Sequence, residues 1–93
     1  MILSFGDSES GKIFNLEYSR KLPRDIQERA YHKLVAIHEA ESLENLRQPP
    51  GNRLEVLRGA LEGFHSIRIN QQWRIIFRWE GNNAARVKIT DYH

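Results

Sequence analysis

The spacing of apolar residues predicts one long helix in the first half of the chain. Apolar side chains recur at intervals of four, four and three residues, which places them on one helical face; they are Ile26, Ala30, Leu34 and Ile37. Pro23 precedes them at a position typical of a helix start, where its missing N–H costs nothing. We therefore predict a helix over residues 23–41 whose apolar face packs against the core.

Short apolar runs separated by turn-forming residues predict strands in the second half. The runs cover residues 53–57, 64–69, 73–79 and 85–90. Loops this short join neighbouring strands into an antiparallel meander. Residues 1–5 add a segment that pairs with the sheet, and residues 8–18 add a weak helical pattern. The chain thus has the pattern of an α+β fold, βαα followed by an antiparallel β-meander, with the helices packed on one face of the sheet.

The loop over residues 70–72 decides which side chains share a face of that sheet. A three-residue loop sets Ile67 opposite Ile75 and keeps the apolar side chains together on the helix side. The same register sets Arg68 directly opposite Arg74 on the other face. Two facing cations destabilise a sheet unless an anion bridges them, so this pair predicts an anion site. A two-residue loop would instead move Arg68 to the opposite face.

Length and composition indicate one small folded domain over residues 1–93. Apolar residues make up 40% of the chain and charged residues 28%, which is ordinary for a globular protein. The chain has no cysteine, no apolar run long enough for a membrane span and no signal-peptide pattern, so we expect a soluble, cytoplasmic protein. No phosphate-binding glycine motif or paired-histidine spacing occurs, so we expect no metal and no cofactor.

Positive charge is concentrated in the second half of the chain. Residues 1–52 hold seven Lys and Arg against eight Asp and Glu, a net charge of −1, whereas residues 53–93 hold seven against four, a net charge of +3. Six of those seven cations are arginine, whose planar fork binds phosphate oxygens in pairs. The balance favours a polyanionic partner, although a merely solvated basic face would have the same composition.

The residues needed to cleave RNA are all available in this basic half. Cleavage needs a base near the 2′-hydroxyl, positive charge around the phosphate and an acid for the leaving 5′-oxygen. The last strand ends in Asp91, Tyr92 and His93, which can orient an imidazole, stack on a base and transfer protons. The predicted strands and their ends also carry several cations; these are Arg53, Arg58, Arg68 and Arg74. Each of these side chains also has an ordinary structural explanation, and His65 is more typical of a half-buried structural residue.

Several segments together resemble the HigB branch of the RelE/ParE toxin superfamily. The resemblance lies in residues 49–55, 62–70 and 72–75 and in the closing Asp91-Tyr92-His93, in this order along the chain. It covers nearly the whole sequence, and the joint occurrence of these short pieces makes it specific. The resemblance implies a RelE-like fold.

The same resemblance implies an activity and a set of partners. It implies a bacterial type II toxin that enters the A site of the small ribosomal subunit and cleaves mRNA there without a metal. It also implies that a HigA-like helix-turn-helix antitoxin neutralises the toxin. The toxin would contact operator DNA only through this antitoxin. No membrane partner is implied.

The resemblance also assigns roles to individual residues. Asp91, Tyr92 and His93 match the functional tail of the family, and Arg68 and Arg74 match positions near the scissile phosphate. Glu55 stands where some members have histidine, which makes it a candidate base or an ion-pair partner of Arg53 or Arg58. The candidates for binding RNA are Arg53, Arg58, which replaces a lysine of the family, and Arg78.

Two other functions remain open on the sequence alone. A ParE-like toxin of the same fold would bind and poison DNA gyrase without any catalysis, because fold alone does not determine function. A simple RNA-binding module would use its arginines to hold the backbone without cutting it. Retention of the Asp91-Tyr92-His93 tail favours the nuclease over both, since a pure binder has no need for a titrating terminus.

Overall fold

Two helices precede a four-stranded sheet in the computed structural model, which describes residues 1–91. Helix α1 spans Ser8–Phe14 and helix α2 spans Arg24–Glu39. Asp7 caps α1, since its Oδ1 accepts a hydrogen bond of 2.9 Å from the backbone N–H of Ser10. The prediction of a long helix after Pro23 is confirmed, with its end two residues earlier than expected. Its four apolar positions are all buried, as the periodicity predicted.

The strands form an antiparallel meander, as predicted. Strand β1 spans Glu55–Val56, β2 Phe64–Arg68, β3 Trp73–Glu80 and β4 Asn83–Asp91, and they lie in this order across the sheet. Strand β1 is shorter than the predicted run over residues 53–57. Arg53 takes a left-handed conformation with φ of 46°, which interrupts the extended backbone just before β1.

The N-terminal segment lies along the outer edge of β4. Ile2 and Phe5 form parallel bridges with Ala84 and Val87, which confirms the expectation that this segment pairs with the sheet. The backbone N–H of Ile2 also donates to Nδ1 of His38 in α2, at 3.1 Å. The segment is thereby bound to both the sheet and the helix layer.

The register between β2 and β3 is the one that a three-residue loop requires. Ile67 pairs with Ile75, and Arg68 pairs with Arg74. The side chains of one face pack with α1 and α2 into the main core, which includes Leu34, Ile37, Ile67, Ile75, Phe77 and Val87. The face turned away from the helices, here called the arginine face, carries Arg68, Arg74 and Arg78.

The segment between α2 and β1 is irregular but well bonded. Its two 3₁₀ turns cover Leu43–Arg47 and Pro50–Asn52. Asn52 is fully buried, and its Nδ2 donates to the carbonyl oxygens of Leu46 and Gln48 at 3.2 and 3.1 Å. Nζ of Lys33 in α2 donates to Oδ1 of Asn52. These bonds fix the loop against α2 and so set the position of Arg53, the next residue.

Candidate functional site

Four of the candidate residues meet at one end of the sheet. Arg68 ends β2 and faces Arg74 near the start of β3, while Asp91 at the end of β4 pairs with Trp73. Arg53 lies just before β1 and reaches the same end through its carbonyl group, which accepts a hydrogen bond from Arg74. The antiparallel meander therefore brings together residues that are up to 38 positions apart in the sequence.

Arg74 is the most buried member of this group, with 5% of its surface exposed. Its Nε donates to Oγ of Ser66 at 2.8 Å, and its Nη2 donates to the carbonyl oxygen of Arg53 at 2.6 Å. Its Nη1 lies 3.7 Å from Oε1 of Glu55. A buried guanidinium is stable only when such partners replace its lost hydration. Arg74 thus holds the site together, in addition to any charge it presents to a ligand.

The two facing arginines have different partners. The guanidinium of Arg74 turns toward Ser66 and Arg53, while Nε of Arg68 donates to the carbonyl oxygen of Asn70 at 3.0 Å. Glu55 places a carboxylate beside Arg74, whereas no acidic side chain of the described residues forms a salt bridge with Arg68. The expectation that Glu55 pairs with Arg53 or Arg58 is therefore wrong, because the register of β1 and β2 sets Glu55 opposite Ser66, next to the Arg74 side chain.

Asp91 lies at the same end of the sheet but on its helix side. It stands directly opposite Trp73, which packs against the core, whereas Thr90 stands opposite Arg74. Oδ2 of Asp91 accepts a hydrogen bond of 3.0 Å from Nε2 of Gln72 in the turn between β2 and β3. The Asp91 carboxylate is thus on the opposite face from Arg74. The other two residues of the predicted tail, Tyr92 and His93, lie outside the described residues.

The remaining RNA-binding candidates lie toward the other end of the arginine face. Arg78 pairs with Phe64, four residues further along β3 than Arg74, which corresponds to about 13 Å. Its guanidinium lies over the Phe64 ring at 5.7 Å and 3.7 Å from Glu80. Arg58 lies toward the same end, because it follows Leu57, whose backbone N–H donates to the carbonyl oxygen of Phe64. The predicted cations therefore divide into two groups, one at each end of the sheet.

His65 is half-buried on the helix side, as its alternation with Ile67 predicted. Its ring stacks on that of Phe77 with centroids 6.0 Å apart. Its Nδ1 is buried and finds no hydrogen-bond partner among residues 1–91. Burial lowers the pKa of this imidazole, because desolvation disfavours the charged form. His65 is therefore a neutral packing residue at neutral pH and lies away from the arginine face.

One cation at this end was not among the sequence candidates. Arg29 lies on the exposed flank of α2, and its Nη1 donates to the carbonyl oxygen of Ile69 at 3.3 Å. It shares a cavity of about 360 Å³ with Arg53 and Arg68. The helical pattern marks Arg29 only as the neighbour of buried Ala30, so nothing in the sequence distinguishes it from other solvated helix residues.

The described residues contain neither a cluster suited to a metal ion nor a helix suited to a membrane. Within residues 1–91, no three His, Cys, Asp or Glu side chains are grouped closely enough to hold a metal ion. None of the helices in that range has the length and apolar character that crossing a bilayer requires.

Comparison with known proteins identifies relatives along almost the entire chain. A family model described as HigB-like toxin, the RelE-like toxin of the type II toxin-antitoxin system HigB, matches residues 3–93. Toxin HigB-1 of Vibrio cholerae serotype O1 is 45% identical over 80 residues, which are 85% of this chain and 84% of that protein. Endoribonuclease HigB of Proteus vulgaris is 29% identical over 93 residues and covers 100% of both chains.

Solved structures share the fold at much lower identity. YafQ from E. coli strain BL21(DE3) superposes with a TM-score of 0.60 over 98% of this chain and 91% of its own, at 14% identity. A YoeB/ParE toxin from Agrobacterium tumefaciens superposes with a TM-score of 0.57 over 99% and 98% of the two chains, at 15% identity. These likenesses agree with the predicted RelE-like α+β fold.

Proposed function

Because the chain belongs to the HigB-like family of RelE-like toxins of type II toxin-antitoxin systems, we propose that it is an endoribonuclease that cleaves mRNA and so stops translation. The observation that carries this proposal is the convergence of Arg53, Arg68 and Arg74 at the end of the sheet where β4 also ends, at Asp91. Positive charge fixed where a phosphate gains negative charge is the largest single contribution to many such reactions. The similarity to endoribonuclease HigB of Proteus vulgaris supports the same activity.

The reaction we propose is an internal transfer at a phosphodiester bond. A base removes the proton of the 2′-hydroxyl, the 2′-oxygen attacks phosphorus, and the bond to the 5′-oxygen breaks as an acid gives that oxygen a proton. The products are a 2′,3′-cyclic phosphate and a 5′-hydroxyl. Arg68 is the cation we assign to the phosphate, because it is half-exposed and no acidic side chain in residues 1–91 forms a salt bridge with it.

Proton transfer is assigned to the end of β4. Asp91 is exposed beside the turn between β2 and β3, and Tyr92 and His93 follow it in the sequence. An imidazole such as that of His93 can act as acid or base, whereas His65 is held on the helix side of the sheet. Glu55 lies on the arginine face beside Arg74 and is the second candidate for the base.

A type II toxin acts together with an antitoxin, so this chain has an antitoxin partner. We propose that the partner is a HigA-like helix-turn-helix protein and that operator DNA is bound only through it. We also propose that cleavage takes place in the A site of the small ribosomal subunit, on mRNA. Co-expression with a small gene adjacent to the toxin gene tests the first part, and a requirement for ribosomes in purified translation tests the second.

Replacing Arg68 with glutamine tests the proposed activity. We expect Arg68→Gln to lower the rate of mRNA cleavage on translating ribosomes by about 10²-fold, because it removes a charge from the phosphate. The matched control is Arg86→Gln, which removes the charge of an exposed arginine at the β4 edge. The backbone N–H of Arg86 donates to Oγ of Ser4, and the substitution keeps that bond. Cleavage rates are measured by primer extension on a single mRNA, with circular dichroism to verify folding.

The same assay can contradict the proposal in favour of the gyrase alternative. The fold is shared with a YoeB/ParE toxin, so fold alone does not separate cleavage from gyrase binding. Absence of any cleavage by the wild-type protein, together with inhibition of DNA supercoiling by purified gyrase, would replace the nuclease assignment.

A further inference from the structure

A cavity lies beside the predicted site, where α2 approaches the end of β2. Its volume is about 360 Å³, and it is lined by the loop before β1, the turn after β2 and the flank of α2. Three arginines line it, Arg29 from α2, Arg53 from the loop before β1 and Arg68 from the end of β2. The rest of the lining is polar or backbone apart from Ile69, which is itself buried.

The charge of these three arginines is not neutralised within the described part of the chain. Arg29 and Arg68 each donate to a backbone carbonyl group, of Ile69 and Asn70 respectively. Other arginines have carboxylate partners: Arg47 pairs with Glu44, Arg74 with Glu55 and Arg78 with Glu80. Residues 1–91 provide no such salt bridge for the three that line the cavity. Like charges gathered in this way repel one another, which an external anion would relieve.

The loop that carries Arg53 is held rigidly in its place. Arg53 adopts a left-handed backbone conformation, which costs a non-glycine residue on the order of 1 kcal/mol. The bond from buried Arg74 to the Arg53 carbonyl group, together with the bonds of Asn52, maintains that conformation. A binding group whose backbone is fixed beforehand loses less conformational entropy when a ligand arrives.

A second cavity along α2 differs from this one in its charges. It is lined by Arg29 and Lys33 but also by Asp25 and Glu28. Burial, and to a smaller extent the charge of Arg29, lower the pKa of Lys33. The second cavity is therefore mixed in charge, whereas every charged residue that lines the first is an arginine.

We propose that the cavity lined by Arg29, Arg53 and Arg68 binds a backbone phosphate of the RNA strand next to the phosphate that is cleaved, with Arg29 as a binding residue contributed by helix α2. The inference deepens the proposed function, on which it rests for the class of ligand. Arginine forks match phosphate oxygens in pairs and carry no information about the base sequence. The subsite would bind the RNA strand without discriminating between base sequences.

The position of the cavity fits this role. Arg68 on β2 and Asp91 on β4 are separated by one intervening strand, or about 10 Å between strands that lie about 4.8 Å apart. An RNA strand whose phosphate is bound in the cavity beside β2 would therefore continue toward Asp91 at the end of β4. Arg29 would act by holding the substrate, since it lies on α2 and belongs to the helix layer.

The test uses a short 2′-O-methyl oligoribonucleotide, which binds like RNA but lacks the 2′-hydroxyl needed for cleavage. Its dissociation constant for the full-length protein is measured by fluorescence anisotropy over a series of salt concentrations. We expect Arg29→Gln to weaken binding on the order of tenfold and to reduce the slope of log K against log salt by about 0.7, the value for one single-strand phosphate contact. Arg86→Gln is expected to change the affinity less than about twofold, since it lies far from the cavity.

A second variant separates the charge of Arg29 from its contact with the turn. Arg29→Lys keeps the charge while losing the planar fork that reaches the Ile69 carbonyl group. We expect it to retain the wild-type salt slope. A slope as low as that of Arg29→Gln would mean that the effect comes from a disturbed helix–turn contact, and it would overturn the proposal.

Other outcomes separate this inference from the proposed function. An Arg29→Gln protein that binds the oligonucleotide like wild type, or a wild-type protein that does not bind it at all, overturns the subsite even if mRNA is cleaved. Loss of antitoxin binding by Arg29→Gln with unchanged RNA binding would likewise overturn it and assign the cavity to an acidic segment of the antitoxin. Arg29-dependent binding without any mRNA cleavage would support the subsite and refute the nuclease.

Discussion

The arginines at this site differ in exposure and in the groups to which they bond. Arg74 was expected at the scissile phosphate, but 5% exposure and bonds to Ser66 and Arg53 show that it also supports the local structure. Arg68, which faces it across the strand pair, is half-exposed and bonded only to a backbone carbonyl group among the described residues. Loss of activity on changing Arg74 would therefore combine an electrostatic effect with a structural one.

His65 provides a test of burial at the scale of one residue. Burial lowers the pKa of His65 in the folded state. Between the ordinary imidazole pKa of about 6.5 and this lower folded value, the unfolded chain therefore binds more protons than the folded chain. Folding stability must therefore fall as the pH decreases from about 6.5 toward the lower folded pKa. We expect His65→Leu to lose this part of the pH dependence, and urea unfolding at a series of pH values measures it.

Histidine 32 gives the matched control for that experiment. His32 is exposed on α2, where its ring lies 4.0 Å from Glu28. His32→Gln should leave the decline of stability below about pH 6.5 in place. If His65→Leu showed the same decline as the wild-type protein, the orphaned Nδ1 and the burial of this ring would not be the cause.

At the scale of elements, most of the fold was predictable from local patterns. The period of the apolar residues and Pro23 predicted α2, and the isoleucine alternation with a three-residue turn fixed the pairing of Arg68 with Arg74. Both signals are local, since each depends on residues a few positions apart. The short length of β1 was not predictable, because the left-handed conformation of Arg53 depends on a bond from Arg74, 21 positions later.

Tertiary contacts also explain what the sequence could not reveal about the site. Arg29 meets the turn after β2 across 40 positions of sequence, and no local pattern specifies that approach. Glu55 pairs with Arg74 because the register of β1 brings it there, whereas the sequence offered nearer arginines. Local patterning thus predicted which face carries the arginines, and tertiary packing decided which of them are exposed.

The bond between strand β3 and the loop before β1 gives a prediction at this scale. Replacing Arg74 with lysine removes the guanidinium group, which donates to both Oγ of Ser66 and the carbonyl oxygen of Arg53. We expect Arg74→Lys to lower the free energy of unfolding by about 2 kcal/mol, because buried polar groups lose charged hydrogen bonds. Urea denaturation followed by circular dichroism measures the change.

Arg78 on the same strand and face is the control for that substitution. It is exposed and lies over the Phe64 ring, so Arg78→Lys should change the free energy of unfolding by less than about 0.5 kcal/mol. Equal effects of the two substitutions would mean that Arg74 does not hold the loop. The loop would then have to be fixed by Asn52 and its neighbours alone.

At the scale of the whole molecule, the chain separates a nearly neutral helical half from a basic sheet half. Residues 53–93 carry a net charge of +3 against −1 for residues 1–52. The helices cover one face of the sheet and contribute its core, while the arginine face points away from them. Arg29 is the cation through which the helix layer reaches the basic end. The fold thereby places positive charge from three elements at one end of the sheet.

The central claim is that the end of the sheet at Arg68 and Asp91, together with the residues after it, cleaves mRNA. The most direct measurement is primer-extension mapping of mRNA ends in a translating extract, comparing the intact protein with a variant lacking residues 91–93. Circular dichroism confirms that the shortened variant is folded. The account predicts discrete cleavage by the intact protein and none by the shortened one. Equal cleavage by both proteins would contradict it.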